Sequence, residues 1–343
     1  MITIFTPSFA DEADTNAQNL SVKEIVARLD PARFAVTMLH QGPPDPRIAA
    51  RPNTRLLRCQ KHGNTARGIS DLLFHTPDIY FFPREGPLDA AFLKLRRALH
   101  LRTRLIAYIV SGGLYREPYA AARQRNIREA DSVVANNTYL ALLLKEKMGI
   151  QTSAVIYDGV DRRYFFPPDT KEKSELTVLY AGSLRAYKRV SMVVQEAARH
   201  PDVRFRIAGT GEEERTCKDL ATKLTCKNVE FLGHLSPAQL GSEMRAAEIF
   251  FFPSIIEGHP QVLVQAAASG LPVVCSRIYR PDYVRDGITG FLADDDQEFS
   301  EKLDCLIRDA ALRRTMGDAS VAHATHYEWD DIARNWEQLF LRS

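Results

Sequence analysis

The chain has 343 residues, of which 45% are hydrophobic and 26% are charged. This composition excludes disordered and fibrous classes, and the length suits two globular domains. The 45 basic and 43 acidic side chains leave a net charge of +2, so no global field favours nucleic acid as a partner. The five cysteines are scattered without a CxxC pair, which favours reduced thiols over disulfides or a zinc site.

Two further features bear on location. The start, MITIFTPSFADEAD, lacks the positive charges of a secretory signal, and no apolar run reaches the ~18–20 residues of a membrane span. We therefore expect a cytoplasmic protein, at most peripheral at the inner face of a membrane. The basic, leucine-rich segment KLRRALHLRTR at 94–104 is the candidate for lipid contact, with the solvated face of a packed helix as the alternative.

The first half alternates short β-branched or aromatic runs with helical patterns, which is typical of parallel sheets covered by helices. The clearest helix is TYLALLLKEKMG, with Thr138 or Asn137 as its cap and Gly149 as its end. The predicted strands are ITIF (2–5), FAVTML (34–39), TRLLR (54–58), IYFF (79–82), LIAYIV (105–110), SVVA (132–135) and SAVIY (153–157).

The second half repeats this scheme, so two Rossmann-like units are predicted. The proline-rich and charged segment at 158–175 has no periodicity and is the predicted hinge. The predicted strands are LTVLYAG (176–182), VRFRIAG (203–209), VEFLG (229–233), EIFFFP (248–253) and LPVVCS (271–276). The first helix should bury Val190, Val193, Val194, Ala197 and Ala198.

The stretch FFPSIIEGHPQVLVQAAASGLPVV at 251–274 places Glu257 in a turn between a buried strand and a helix that Gly270 ends. This turn lies at the carboxyl edge of a parallel sheet, where open α/β folds bind ligands. A helix N-terminus there suits a phosphate group. The candidate binding residues of this turn and helix are Gly258, His259, Pro260, Gln261, Val262 and Gln265.

Three other loops belong to the same predicted edge. AGSLRAYKR brings Arg185 and Lys188, two cations that can neutralise a diphosphate leaving group; a solvated basic loop is the alternative. AGTGE (208–212) is a glycine turn, and VEFLGHLS (229–236) can flank a base. The candidate binding residues of these loops are Gly182, Ser183, Gly209, Gly211 and Leu235.

In this order and spacing the chain resembles the GT-B-fold retaining glycosyltransferases of family 4, which use nucleotide-sugar donors. The resemblance is strongest from 156 to 294, in IYDGVDRRYFFPPD, LYAGSLRAYKR, RIAGTGEEE, VEFLGHLS, EIFFFPSIIEGHPQVLVQAAASGLPVV and DGITGFL. It implies an α/β fold of two Rossmann-like β/α/β domains facing across a cleft. The implied division is an acceptor-binding domain at 1–157, a linker at 158–175, a nucleotide-sugar domain at 176–326 and a helix at 327–343 that crosses back to the first domain.

The family's Glu-x7-Glu signature implies roles for two residues. Its first glutamate touches the donor sugar and matches Glu257, whereas its second holds the ribose hydroxyls and is replaced by Gln265. An amide accepts with one oxygen only, so we expect weaker nucleotide binding without loss of the chemistry. The resemblance also implies a UDP- or GDP-linked donor, a glycan or lipid-linked acceptor, and neither metal nor cofactor, because Lys188 and Arg185 supply the positive charge.

The chain departs from the family pattern on both sides of the reaction. Ser183 stands where the family has an arginine, Arg185 is the candidate substitute, and Lys188 falls at the family's lysine position. In the first domain, Ser111 and Gly112 lie where the family has a catalytic histidine. The acceptor-side contact of that histidine is therefore in doubt.

Two residues are candidates for the altered acceptor side. Asn16 begins the first helix after ADEADTNAQN (10–19), which replaces a glycine-rich loop, and His259 can contribute from the other wall of the cleft.

Two rival functions remain. A nicotinamide-dependent oxidoreductase lacks its GxGxxG fingerprint, and a non-catalytic nucleotide-sugar-binding partner is suggested by Gln265 and Ser183.

Overall fold

The structure is a computed structural model that describes residues 1–12, 16–59, 64–82, 86–110, 120–169 and 175–342. The chain divides into two compact units, Met1–Asp158 with Trp329–Ser343, and Gly159–Glu328. Each unit contains a parallel sheet with flanking helices, which confirms the prediction of two Rossmann-like units.

The first unit has a sheet with the strand order β3-β2-β1-β4-β5-β6-β7, parallel throughout its described pairings. The strands are β1 (Ile2–Phe9), β2 (Phe34–His40), β3 (Thr54–Arg58), β4 (Ile79–Phe82), β5 (Arg104–Ile109), β6 (Ser132–Ala135) and β7 (Ala154–Val155). The helices are α1 (Ala17–Arg28), α2 (Pro46–Ala50), α3 (Asn64–Phe74), α4 (Pro87–Ala98), α5 (Ala120–Arg128) and α6 (Thr138–Met148). All seven predicted strands are present.

Helix α6 shows how local sequence sets the element boundaries. The side chain of Asn137 accepts a hydrogen bond from the N–H of Leu140 at 2.6 Å, which satisfies one of the unpaired groups of the helix start. Gly149 has a φ of 62°, a left-handed conformation that costs glycine little and ends the helix. The buried Leu140 and Leu144 then fix the face that packs on the sheet.

The last helix of the chain, α13 (Trp329–Leu341), packs in the first unit. Its Trp336 is fully buried, with ring centroids 4.9 Å from those of Phe81 and Tyr108. Phe340 meets Phe81 edge to face at 5.5 Å. Because aromatic side chains bury a large apolar area, this helix contributes much of the core on that face of the first sheet.

The second unit has the strand order β10-β9-β8-β11-β12-β13, again parallel. The strands are β8 (Thr177–Ala181), β9 (Arg204–Ala208), β10 (Val229–Gly233), β11 (Ile249–Phe252), β12 (Val273–Ser276) and β13 (Gly290–Ala293). The helices are α7 (Val190–Arg199), α8 (Glu214–Lys223), α9 (Pro237–Ala246), α10 (Gln261–Ala268), α11 (Asp296–Arg308) and α12 (Ala310–Ala324). The five predicted strands are present, and β13 is an addition.

The structure differs from the predicted hinge at 158–175. Residues 159–169 belong to the second unit, because Phe165 is buried and the carbonyl oxygen of Tyr164 accepts a hydrogen bond from Arg245 at 2.8 Å. At 159–169, proline and charge therefore mark an irregular stretch that packs on the second unit through Tyr164 and Phe165. In α7 the predicted inner face is also wrong at Ala198, which is exposed while Met192 is buried.

Candidate functional site

The candidate site of the second unit lies at the carboxyl ends of four adjacent strands. The strand order places β8 beside β11, although the chain first runs through β9 and β10. Such a reversal of strand order opens a crevice, and ligands of open α/β folds bind there. The predicted site residues in the four loops and the helix that follow these strands are Gly182, Ser183, Arg185, Lys188, Gly209, Gly211, Leu235, Glu257, Gly258, His259, Pro260, Gln261, Val262 and Gln265.

Lys188 and Glu257 meet across this reversal point. Lys188 ends a 3₁₀ turn, Ala186–Lys188, after β8, and its Nζ lies 2.5 Å from Oε1 of Glu257 in the loop after β11. Only 12% and 10% of the two side chains are exposed. Two of the three residues named as catalytic candidates from the sequence, Lys188 and Glu257, thus form one partly desolvated ion pair.

Two aromatic side chains, Phe252 and Tyr180, pack next to Lys188 of this ion pair. The Nζ of Lys188 is 5.1 Å from the ring centroid of Phe252, which stacks on Tyr180 of β8 at 5.9 Å. The hydroxyl of Tyr180 donates to the carbonyl oxygen of Ser183 at 3.1 Å. Burial, followed by the negative charge of Glu257, raises the pKa of Tyr180 well above its usual range, so its phenol stays neutral. Tyr180 is not among the residues predicted from the sequence, although aromatic residues on two strands, Tyr180 and Phe252, gave a usable signal.

The loops after β8 and β9 pack backbone against backbone. Gly209 has a φ of 134°, and a Cβ there would lie 1.9 Å from the carbonyl oxygen of Gly182. A Cβ at Gly211 would lie 2.3 Å from the carbonyl oxygen of Leu184. The N–H of Leu184 donates to the carbonyl oxygen of Thr210 at 3.0 Å. These glycines are therefore required for the close approach of the two loops.

Helix α10 starts at the same edge. Pro260 precedes its first residue, no side chain caps it, and its first turn carries no acidic residue. The positive end of its dipole is therefore not neutralised from within the helix. Gln261 and Gln265 are one helical turn apart and half-buried, so they lie on the same face of α10.

His259 is a buried side chain of this loop. Its ring centroid lies 3.9 Å from that of Tyr283, and its side chain is among the buried polar groups. Burial lowers the pKa of His259 to about 3, so the imidazole is neutral at physiological pH. This packing fixes the ring of His259 against Tyr283, and its contribution to acceptor binding stays a prediction.

The remaining predicted site residues form no described contact with the Lys188 or Glu257 side chains, or they lie outside the described ranges. Arg185 is exposed, and Leu235 is half-buried after β10. In the first unit, Asn16 caps α1, accepting from the N–H of Gln18 at 3.1 Å. Ser111 and Gly112 lie outside the described residues.

A second polar cluster joins α7 to α11. Glu196, His200 and Asp304 each offer a ligand atom within 4.8 Å of the others, a proximity that the sequence spacing did not reveal because Asp304 comes from another helix. The guanidinium of Arg199 lies 2.6 Å from Glu196 and 3.2 Å from Asp304. Since Arg199 already balances both carboxylates, the cluster is an ion-pair network between two helices.

Comparison with known protein families matches residues 161–322 to the glycosyl transferases group 1 model. A D-inositol 3-phosphate glycosyltransferase of Corynebacterium urealyticum is 28% identical over 261 residues, which are 67% of this chain and 62% of that protein. A protein of the same name from Thermobifida fusca is 28% identical over 265 residues, 69% of this chain and 61% of that protein. The chain thus spans about three fifths of these relatives.

The fold resembles solved structures over nearly its whole length. Sucrose-phosphate synthase from Thermosynechococcus elongatus superposes with a TM-score of 0.81 at 19% identity, covering 99% of this chain and 98% of that one. Anabaena Alr3699/HepE, solved in complex with UDP, gives 0.79 at 17% identity and 99% coverage of both. The chain therefore has the GT-B fold. None of the helices in the described ranges has the length and hydropathy that a bilayer span requires.

Proposed function

We propose that this protein is a retaining glycosyltransferase of family 4 that moves a sugar from a nucleotide-sugar donor to a glycan or lipid-linked acceptor. The observation that carries the proposal is the partly desolvated pair of Lys188 and Glu257 at the strand reversal of the unit that matches the group 1 model. One cation and one carboxylate at the carboxyl edge suit a donor with a phosphate end and a sugar end.

The proposed chemistry assigns opposite charges to opposite sides of the breaking bond. As the bond between the anomeric carbon and the diphosphate oxygen breaks, negative charge grows on the leaving phosphate, where Lys188, Arg185 and the start of α10 stabilise it. The positive charge that develops on the sugar is favoured by the carboxylate of Glu257. The acceptor oxygen then bonds to the anomeric carbon, and its proton passes to the departing phosphate. No metal or cofactor is proposed.

The donor and the acceptor are proposed by class. We propose a UDP- or GDP-linked sugar as the donor, and the UDP form is supported by the neighbour Alr3699/HepE, which was solved with UDP and with UDP-glucose. The relatives from Corynebacterium urealyticum and Thermobifida fusca are both named D-inositol 3-phosphate glycosyltransferase. We propose a place in surface polysaccharide or glycoconjugate synthesis, in the cytoplasm.

We also propose peripheral membrane contact through residues 94–104. Lys94, Leu99 and Arg102 are exposed at the end of α4 and in the loop after it, whereas Arg96 bonds to Asp131 at 3.0 Å. The exposed cations and leucine suit an anionic lipid surface. Co-sedimentation with anionic vesicles at low salt should fall at least threefold in a Lys94→Glu, Arg102→Glu variant, and wild-type protein that stays in the supernatant would contradict this contact.

The test of the proposed function is donor turnover without metal. Wild-type protein in EDTA should consume the matching nucleotide sugar in the presence of acceptors, and Glu257→Gln should lower the rate at least ~100-fold, as expected when one stabilising group is removed. If the protein binds the nucleotide sugar but does not consume it with any acceptor class tested, it is a non-catalytic binding partner instead.

A further inference from the structure

In the ion pair, Lys188 and Glu257 bind each other. In the proposed complex, Lys188 binds the diphosphate of the donor and Glu257 binds its sugar. Among the described residues, Lys188 is the cation that pairs with Glu257. The hydroxyl of Tyr180, although close enough for the charge of Glu257 to affect its pKa, is already committed to the carbonyl oxygen of Ser183. Within the part of the chain that the structure describes, no other cation forms an ion pair with Glu257.

The burial of the pair makes its disruption costly. Lys188 and Glu257 are 12% and 10% exposed, and removing one partner of such a pair leaves a desolvated charge without compensation. The aromatic ring of Phe252 beneath Nζ can attract the ammonium group but offers nothing to a carboxylate. A ligand that binds Lys188 but not Glu257 therefore leaves the largely buried carboxylate of Glu257 without a partner, which costs free energy.

We propose that this ion pair makes the site discriminate between the intact nucleotide sugar and the bare nucleoside diphosphate. The inference rests on the proposed function. The diphosphate of either ligand takes Lys188, but only the intact donor also brings sugar hydroxyls that donate to the carboxylate of Glu257. The bare diphosphate binds Lys188, so Glu257 loses its ion pair, and this ligand has no sugar hydroxyl that could donate a hydrogen bond to the carboxylate.

The same competition acts after the transfer. Once the sugar has left for the acceptor, Glu257 loses its hydroxyl donors while the diphosphate still holds Lys188. Re-formation of the ion pair then competes with the product for Lys188. The pair therefore favours product release.

The test compares affinities for UDP, GDP and ADP, and for the sugar conjugate of whichever binds, by calorimetry in EDTA. In Glu257→Gln the amide no longer holds Lys188, so the bare diphosphate should bind about tenfold more tightly than to wild type, equivalent to about 1.4 kcal/mol. The affinity for the sugar conjugate should not increase. The ratio of the affinity for the conjugate to that for the bare diphosphate should therefore fall about tenfold or more. Glu257→Ala should show the same direction and serves if Glu257→Gln does not fold.

Glu248→Gln is the matched control, because Glu248 forms a half-buried pair with Arg313 at 2.9 Å in the same unit, before β11. It should leave both affinities unchanged. If a nucleotide binds wild type but neither Glu257 variant binds it more tightly, the discrimination by the pair is overturned and the donor site stands. If no nucleotide binds wild type, the proposed function itself fails.

Discussion

Gln265 is the residue at which the chain departs most clearly from the Glu-x7-Glu pattern. It lies half-buried on α10, eight positions after Glu257. We predict that Gln265→Glu raises the affinity for the nucleotide about fivefold, because a carboxylate accepts both ribose hydroxyls through stronger, charge-assisted bonds. Calorimetry measures this, with Gln239→Glu at the exposed start of α9 as the control. An unchanged or weaker affinity would place the ribose elsewhere.

His259 should make the stability of the second unit depend on pH. Its folded pKa is about 3 because of burial, whereas the unfolded side chain takes up a proton near pH 6.5. The unfolded state therefore binds more protons between these values, and stability is lost as the pH falls from 6.5 towards 3. At pH 5 the loss should reach about 2 kcal/mol. Urea unfolding at pH 7 and pH 5 should show this loss in wild type and a smaller one in His259→Phe; equal losses would contradict it.

Among the elements, the paired glycine loops after β8 and β9 are the most sensitive to substitution. In Gly209→Ala the new Cβ would overlap the carbonyl oxygen of Gly182, so the loops must separate. We predict a loss of about 3 kcal/mol of stability together with weaker nucleotide binding. Gly233 also has a positive φ, 67°, but nothing lies within 4 Å of its Cβ position. Gly233→Ala should therefore cost only about 1 kcal/mol. Equal losses in thermal unfolding would contradict the steric argument.

The strands were predictable from sequence and the contacts between loops were not. Runs such as IFFF in β11 are buried on both faces, so they read as continuous apolar segments. β13, with the short sequence GFLA, gives little such signal. Lys188 and Glu257 are 69 residues apart, and only the adjacency of β8 and β11 brings them together. The sequence therefore named both residues, but it could not show that they neutralise each other.

In the whole molecule, one unit is formed by a single segment of the chain and the other by two segments. The second unit is one continuous segment, Gly159–Glu328, whereas the first also needs Trp329–Ser343. We predict that a 159–328 fragment folds and binds the nucleotide with an affinity within about tenfold of the full chain. A 1–158 fragment should aggregate, because it lacks Trp336 and Phe340 of α13 and exposes their apolar partners. Circular dichroism and calorimetry check the first claim, and a monomeric, folded 1–158 would contradict the second.

We propose that the second unit holds a metal-independent donor site around Lys188 and Glu257. Its most direct test is a calorimetric titration of the wild-type chain in EDTA with UDP, GDP and ADP, repeated with Lys188→Met. We predict that one of the three nucleotides binds without metal and that Lys188→Met weakens its affinity at least tenfold, since the phosphate loses its buried cation. If no nucleotide binds, or if Lys188→Met leaves the affinity unchanged, the site is not the one described.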